Sequence, residues 1–84
     1  MTRYTIDISA YSDTAQVKTE CNSFQVINYG DVPLIINKQV TLQQNQTFTI
    51  EGNEMEFTTA VLSFTFGTTG TIKNAVIIRK IFVI

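Results

Sequence analysis

The sequence predicts an all-β chain: a small antiparallel β-sandwich or barrel of six to eight short strands. Three observations carry this. Apolar and polar residues alternate with a period of two through most of the chain, and no stretch sustains helical spacing. Thr is the commonest residue, and its branched β-carbon favours extended backbone. Clusters of Gly, Asn, Asp and Pro punctuate the alternating runs at short intervals, as in sandwiches and barrels.

The elements follow in order. Residues 3–9 form the first strand, with Tyr4, Ile6 and Ile8 on one face and Arg3, Thr5 and Asp7 on a wet one. Residues 10–22 are the least regular stretch. Val17 and Cys21 have helical spacing, and Asp13 or Thr14 offers a cap for a single turn; an extended reading fits equally. Residues 23–29 read as a strand with Phe24 and Val26 on one face and Ile27 and Tyr29 on the other. A turn at residues 28–31 follows, where Gly30 is free to take positive φ. Residues 32–37 continue as a strand, and Pro33, which lacks a donor, belongs at an edge or among the first residues. Asn37-Lys38 is a tight turn before residues 39–42, where Val40 and Leu42 share a face.

After the polar break Gln43-Gln44-Asn45, residues 46–51 place Phe48 and Ile50 inward. Gly52-Asn53 turns the chain, and residues 54–57 form a short strand or bridge. Residues 60–67 make the clearest interior strand, with Ala60, Leu62, Phe64 and Phe66 on one face. Gly67-Thr68-Thr69-Gly70 reads as a hairpin connection. Phe24, Phe48, Phe57, Phe64, Phe66 and Phe82 are the natural core.

The terminal stretch, residues 75–84, departs from the alternating rule. Val76, Ile78, Lys80, Phe82 and Ile84 line one face; Ala75, Ile77, Arg79, Ile81 and Val83 line the other. Both faces are mainly apolar, so a layer must cover each. Bare, such a strand invites aggregation. The expected cover is a neighbouring subunit, with Ile77, Ile81, Val83 and Ile84 as the interface. The alternative is that residues 10–22 fold over the strand within one chain.

Composition bounds the rest. A chain of 84 residues is a single β domain, residues 1–84. It buries only about 60–65% of its unfolded surface, so oligomerisation, disulfides or metals commonly supplement it. Cys21 is the only cysteine and histidine is absent, which removes an internal disulfide and makes metal binding improbable. Charged residues are 15% of the chain and the formal net charge is −1, with basic residues scattered. No basic footprint for nucleic acid is present, no apolar run reaches the ~20 residues a membrane span needs, and no signal-peptide pattern opens the chain. Synthesis in the cytoplasm is the expectation.

Candidate chemistry is sparse. Without histidine, Cys21 has no base to activate it, and a buried small hydrophobe is the simpler reading. Glu51, Asn53, Glu54 and Glu56 share a turn region where calcium ligation is conceivable, but the spacing is not an EF-hand and a solvated acidic loop explains it. Residues 67–70 lack the length and lysine of a phosphate loop. Tyr4, Tyr11 and Tyr29 offer stacking faces, with core or interface packing the plainer role. Asn45-Gln46-Thr47 fits the glycosylation sequon, read as chance. No catalytic residue, metal ligand or cofactor is expected, and the chain is read as not an enzyme.

One segment carries a resemblance. Residues 24–37 (FQVINYGDVPLIIN), then Val40-Thr41-Leu42 and Gln46-Thr47-Phe48-Thr49-Ile50, give an apolar–Asn–x–Gly, apolar–Ile–Asn, Leu-and-polar-turn rhythm. This resembles small β-sandwich structural proteins of tailed-phage virions, such as head decorations and tail, baseplate or fibre modules. It covers about residues 24–51. Gln43-Gln44-Asn45 stands where such proteins often have Pro-Gly. The resemblance implies a structural subunit of a virion, contacting itself as a homo-oligomer and other virion proteins, and transfers no site residue. The competing class is a small carbohydrate- or peptide-binding β module.

Overall fold

The computed structural model describes residues 3–83, and among them the period-two alternation is realised as eight strands and no helix. They are β1 (Arg3–Tyr11), β2 (Ala15–Lys18), β3 (Ser23–Asn28), β4 (Leu34–Ile36), β5 (Val40–Leu42), β6 (Thr47–Ile50), β7 (Val61–Phe66) and β8 (Ala75–Val83). Two four-stranded antiparallel sheets pack as a sandwich: β1-β8-β3-β6 faces β2-β7-β4-β5. Strands numbered outside-in and alternating between sheets in this order define an eight-stranded jelly roll.

The core lies between the sheets. Val26, Phe24 and Ile77 from the first sheet meet Val17, Leu34, Ile36, Leu42, Leu62 and Phe64 from the second. Tyr11 of β1 crosses to Phe64 of β7 edge to face, with centroids 5.8 Å apart. Phe48 and Phe66 pack against this cluster as expected, but Phe57 is 57% exposed on the β6–β7 loop. Its segment forms no strand; the neighbouring Thr58 instead makes an isolated bridge with Cys21.

The irregular stretch resolves as extended backbone. Ala15, Val17, Thr19 and Cys21 point inward while Gln16, Lys18 and Glu20 point to solvent, so the helical spacing of Val17 and Cys21 is a period-two pattern sampled every fourth residue. Asn37 and Lys38 both take positive φ, 52° and 58°, giving the primed turn that matches strand twist in the β4–β5 hairpin. That hairpin is the single sequence-adjacent strand pair in one sheet among the described residues. Residues 67–70 therefore do not close a hairpin: β7 pairs with β2 and β4, β8 with β1 and β3, and the loop arches between sheets. Gly30 is not left-handed either. It is needed for space, because a side chain there would overlap the Ile72 carbonyl.

Candidate functional site

β8 is the centre of what the sandwich presents. It runs between β1 and β3, so its two faces look inward and outward. The inward face carries Ala75, Ile77 and Arg79, all buried. Ile77 thus sits in the chain's own core with no exposed surface, covered by the second sheet that includes β2. The expectation that Ile77 meets another subunit is corrected by this placement, because its cover is the chain's own core cluster. Ile81 continues the same face and packs partly against the core, and Val83 is 52% exposed. Ile84 lies outside the described residues.

The outward face is the one left apolar. The register places Ile8 opposite Ile78, Ala10 opposite Val76, and Tyr4 opposite Phe82. Ile27 lies opposite Val76 on the other side. Tyr4, Ile6 and Ile8, read from sequence as the side opposite a wet face, are themselves exposed at 55%, 47% and 63%. The inversion has a physical cause. Alternation fixes which residues share a face, not which face meets the core. Pairing Ser9 with Ile77 puts Ser9 and Tyr11, both partly buried, on the inward side, with Asp7 at the solvated rim beside Arg79. The outer face of the opposite sheet is more polar, carrying Gln16, Lys18, Thr41, Ser63 and Thr65 beside Ile35 and Val61.

β1 and β8 also run past the sandwich. Their pairing continues from Asp7↔Arg79 to Arg3↔Val83, whereas β3 stops opposite Lys80 and β6 opposite Phe24. At about 3.4 Å per residue, the three residues beyond Lys80 make an overhang of about 10 Å, and the molecule is 46 Å long against 19 and 16 Å across. Tyr4 and Phe82 stack edge to face at 6.2 Å on the overhang, and Lys80 Nζ lies 4.4 Å from the Tyr4 ring centre and 5.0 Å from that of Phe82. The ammonium thus lies over both ring faces, where the ring quadrupoles attract it. At this end Asn22 ties the β6–β7 loop to β8: its Nδ2 donates to the Asn53 and Glu56 carbonyls, and its Oδ1 accepts from Phe82 N at 2.8 Å. That loop exposes Met55 and Phe57 beside the ribbon.

A polar groove of about 480 Å³ opens between β1 and β2, lined by Asp7, Ser9, Tyr11, Gln16, Lys18 and Arg79 among others. Its floor is a stitch between the two sheets. Arg79 Nε and Nη2 donate to the Lys18 carbonyl at 3.0 and 2.8 Å, and Nη1 donates to Asp7 Oδ2 at 2.9 Å and Ser9 Oγ at 3.3 Å. The guanidinium fork is therefore spent inside the protein, and Ser9 Oγ is held by an arginine rather than by a base. Cys21 is buried and bridged, and burial pushes its thiol up, against a smaller opposite pull from Arg79. No group of three or more His, Cys, Asp or Glu is arranged to hold a metal ion among the described residues. The Glu56 carboxylate at the acidic turn caps the Asn53 backbone N–H at 3.1 Å.

At the opposite end, Asn28 and Asp31 fix the loops. Buried Asn28 donates from Nδ2 to the Val32 and Leu42 carbonyls, each at 2.9 Å, and accepts from Gly30 N at 3.0 Å. Asp31 accepts from the backbone N–H groups of Ile72 and Thr71, which hold its carboxyl below the usual range. The Asn–x–Gly rhythm thus has a structural reason. Sequence reading missed Arg79, Asn22 and Asn28 as organising groups; a polar residue at an inward register position was the available signal. Compared with known proteins, the chain matches no family model, no curated protein and no solved structure.

Proposed function

We propose that this chain is a non-enzymatic assembly subunit that packs its β1–β8–β3 outer face and overhanging ribbon against other protein, including further copies of itself. The observation that carries this reading is the contrast between the two outer faces. One is mainly polar, with Ile35 and Val61 as its apolar members; the other groups Tyr4, Ile6, Ile8, Val76, Ile78 and Phe82 around a single charge, Lys80, with Tyr4, Ile6 and Ile8 about half exposed or more. Contiguous apolar surface of this kind marks interaction sites on soluble domains. The resemblance of residues 24–51 extends the proposal to a virion component. Jelly rolls build viral capsids and lectins alike, an analogy of fold that supports the class without assigning it.

The test is the mass in solution by light scattering. The wild-type chain is expected to exceed the monomer at high micromolar concentration. Ile8→Lys should reduce that mass without changing the melting temperature, because Ile8 is 63% exposed. A wild-type protein that stays monomeric and binds no partner sinks the reading.

The groove beside Tyr11 favours the second class, a carbohydrate-binding module, through its volume and polar lining. Glycan-array binding abolished by Gln16→Ala and Tyr11→Ala would shift the assignment to it.

A further inference from the structure

The free edge of β1 adds a partner to the assembly reading, on which this inference rests. Sheet edges carry unpaired backbone N–H and C=O groups, and proteins blunt them by keeping edge strands short, charged or bulged. Three of the four edges here are short: β2, β5 and β6 span three or four residues. β1 is nine residues long, contains no proline or glycine, and overhangs the sandwich where no other element covers it.

Its charges are also self-complementary. Antiparallel pairing of β1 with a second β1 about a two-fold axis at Thr5 sets Arg3 opposite Asp7 of the other copy, twice, and Tyr4 opposite Ile6, twice. Arg3 is exposed, and Asp7, which pairs with Arg79, keeps its side chain 56% exposed. A carboxylate accepts from more than one donor, so Asp7 can hold Arg79 in its own chain and Arg3 of the other. The geometry is open. Among the described residues the overlap runs over 3–7, of which 3–5 lie beyond the end of β3, so the two sandwiches extend away from opposite ends of the shared ribbon.

We infer that two copies of this chain join through β1 edges, antiparallel and centred on Thr5, making one continuous eight-stranded sheet. The two-fold axis stands perpendicular to that sheet. Both apolar outer faces therefore end on the same side, and the pair presents a doubled surface to the next protein in the assembly.

Sedimentation equilibrium on the Ile8→Lys chain, in which the apolar face is disarmed, isolates the edge contact. A monomer–dimer equilibrium is expected. Adding Arg3→Glu sets like charges opposite each other at both ends of the ribbon and should weaken the dimer about tenfold. Adding Lys38→Glu, the same charge change on a distant turn, should leave it unchanged. In a Cys21→Ala background, Thr5→Cys should cross-link to itself with a short bis-maleimide, and Thr41→Cys should not. If the wild type assembles while the Ile8→Lys chain is strictly monomeric and Thr5→Cys does not cross-link, edge pairing is wrong and the apolar-face reading stands. If the wild type is itself monomeric and Thr5→Cys is inert, both fall.

Discussion

Replacing Asn28 by Ala removes the side chain that joins three backbone segments at one end of the sandwich. The residue has no exposed surface, and its amide makes three hydrogen bonds of 2.9, 2.9 and 3.0 Å to Val32, Leu42 and Gly30. Each bond is worth about 1 kcal/mol net, and each buried group left without a partner costs about 1–3 kcal/mol. Some of the orphaned carbonyls recover through relaxation, so the expected loss is about 3–5 kcal/mol. Small domains have about 5–15 kcal/mol in total, and a chain of this size belongs at the lower end. Urea unfolding followed by β-sheet circular dichroism measures the change. With a slope of about 1 kcal/mol per molar urea, the midpoint should fall by about 3 M or more, or the protein should fail to fold. Asn28→Asp should be as damaging, because a carboxylate keeps the acceptor for Gly30 but turns lone pairs toward the Val32 and Leu42 carbonyls. A loss under about 1 kcal/mol for Asn28→Ala, at unchanged slope, would refute the claim that this amide organises the loops.

Other consequences can be measured on the same footing. Asp31 has a folded pKa below its unfolded value, so its contribution is full above about pH 4 and disappears as pH falls through the folded value. Asp31→Asn should therefore flatten the acid limb of a melting-temperature series, and an unchanged limb would contradict the clamp on Thr71 and Ile72. Arg79→Met should cost about 2–3 kcal/mol by stripping donors from the Lys18 carbonyl, whereas Asp7→Asn should cost less than about 1 kcal/mol because Asp7 is largely solvated; equal losses would break that ranking. Cys21 should resist thiol reagents until the chain unfolds, and Cys21→Ala should cost about 1–2 kcal/mol; rapid labelling of folded protein would show that the site opens. Gly30→Ala should be severely destabilising through its collision with the Ile72 carbonyl, and a neutral result would mean the loop yields easily.

The strands were legible where alternation met a recognisable turn. Residues 39–42 and 60–67 could be placed from Val40, Leu42, Leu62, Phe64 and Phe66 alone, because those side chains had one apolar face to bury. Orientation was not legible at the first strand. Tyr4, Ile6 and Ile8 make the more hydrophobic face, yet the partner strand β8 is apolar on both sides and dictates which side closes on the second sheet. Ile77 was misplaced for the same reason, since nothing local distinguishes the two faces of residues 75–84. Loop geometry was partly hidden as well. Asn28 and Asn22 read as turn residues, and their inward, multiply bonded positions depend on contacts with residues many positions away.

The pairing of β8 with both β1 and β3 has a kinetic meaning. The strand that completes the first sheet follows the other seven in sequence, and it must enter between two strands that precede it by much of the chain. With one local hairpin, β4–β5, to start from, loop-closure entropy opposes nearly every other pairing. Folding in the millisecond-to-second range is the expectation for such non-local β topology. During synthesis β1 and β3 have no partner between them, and their edges stay available to other chains until β8 arrives. A chain lacking residues 75–83 would expose the facing edges of β1 and β3 that β8 covers in the finished fold, so the arrival of β8 is the step that closes those two edges.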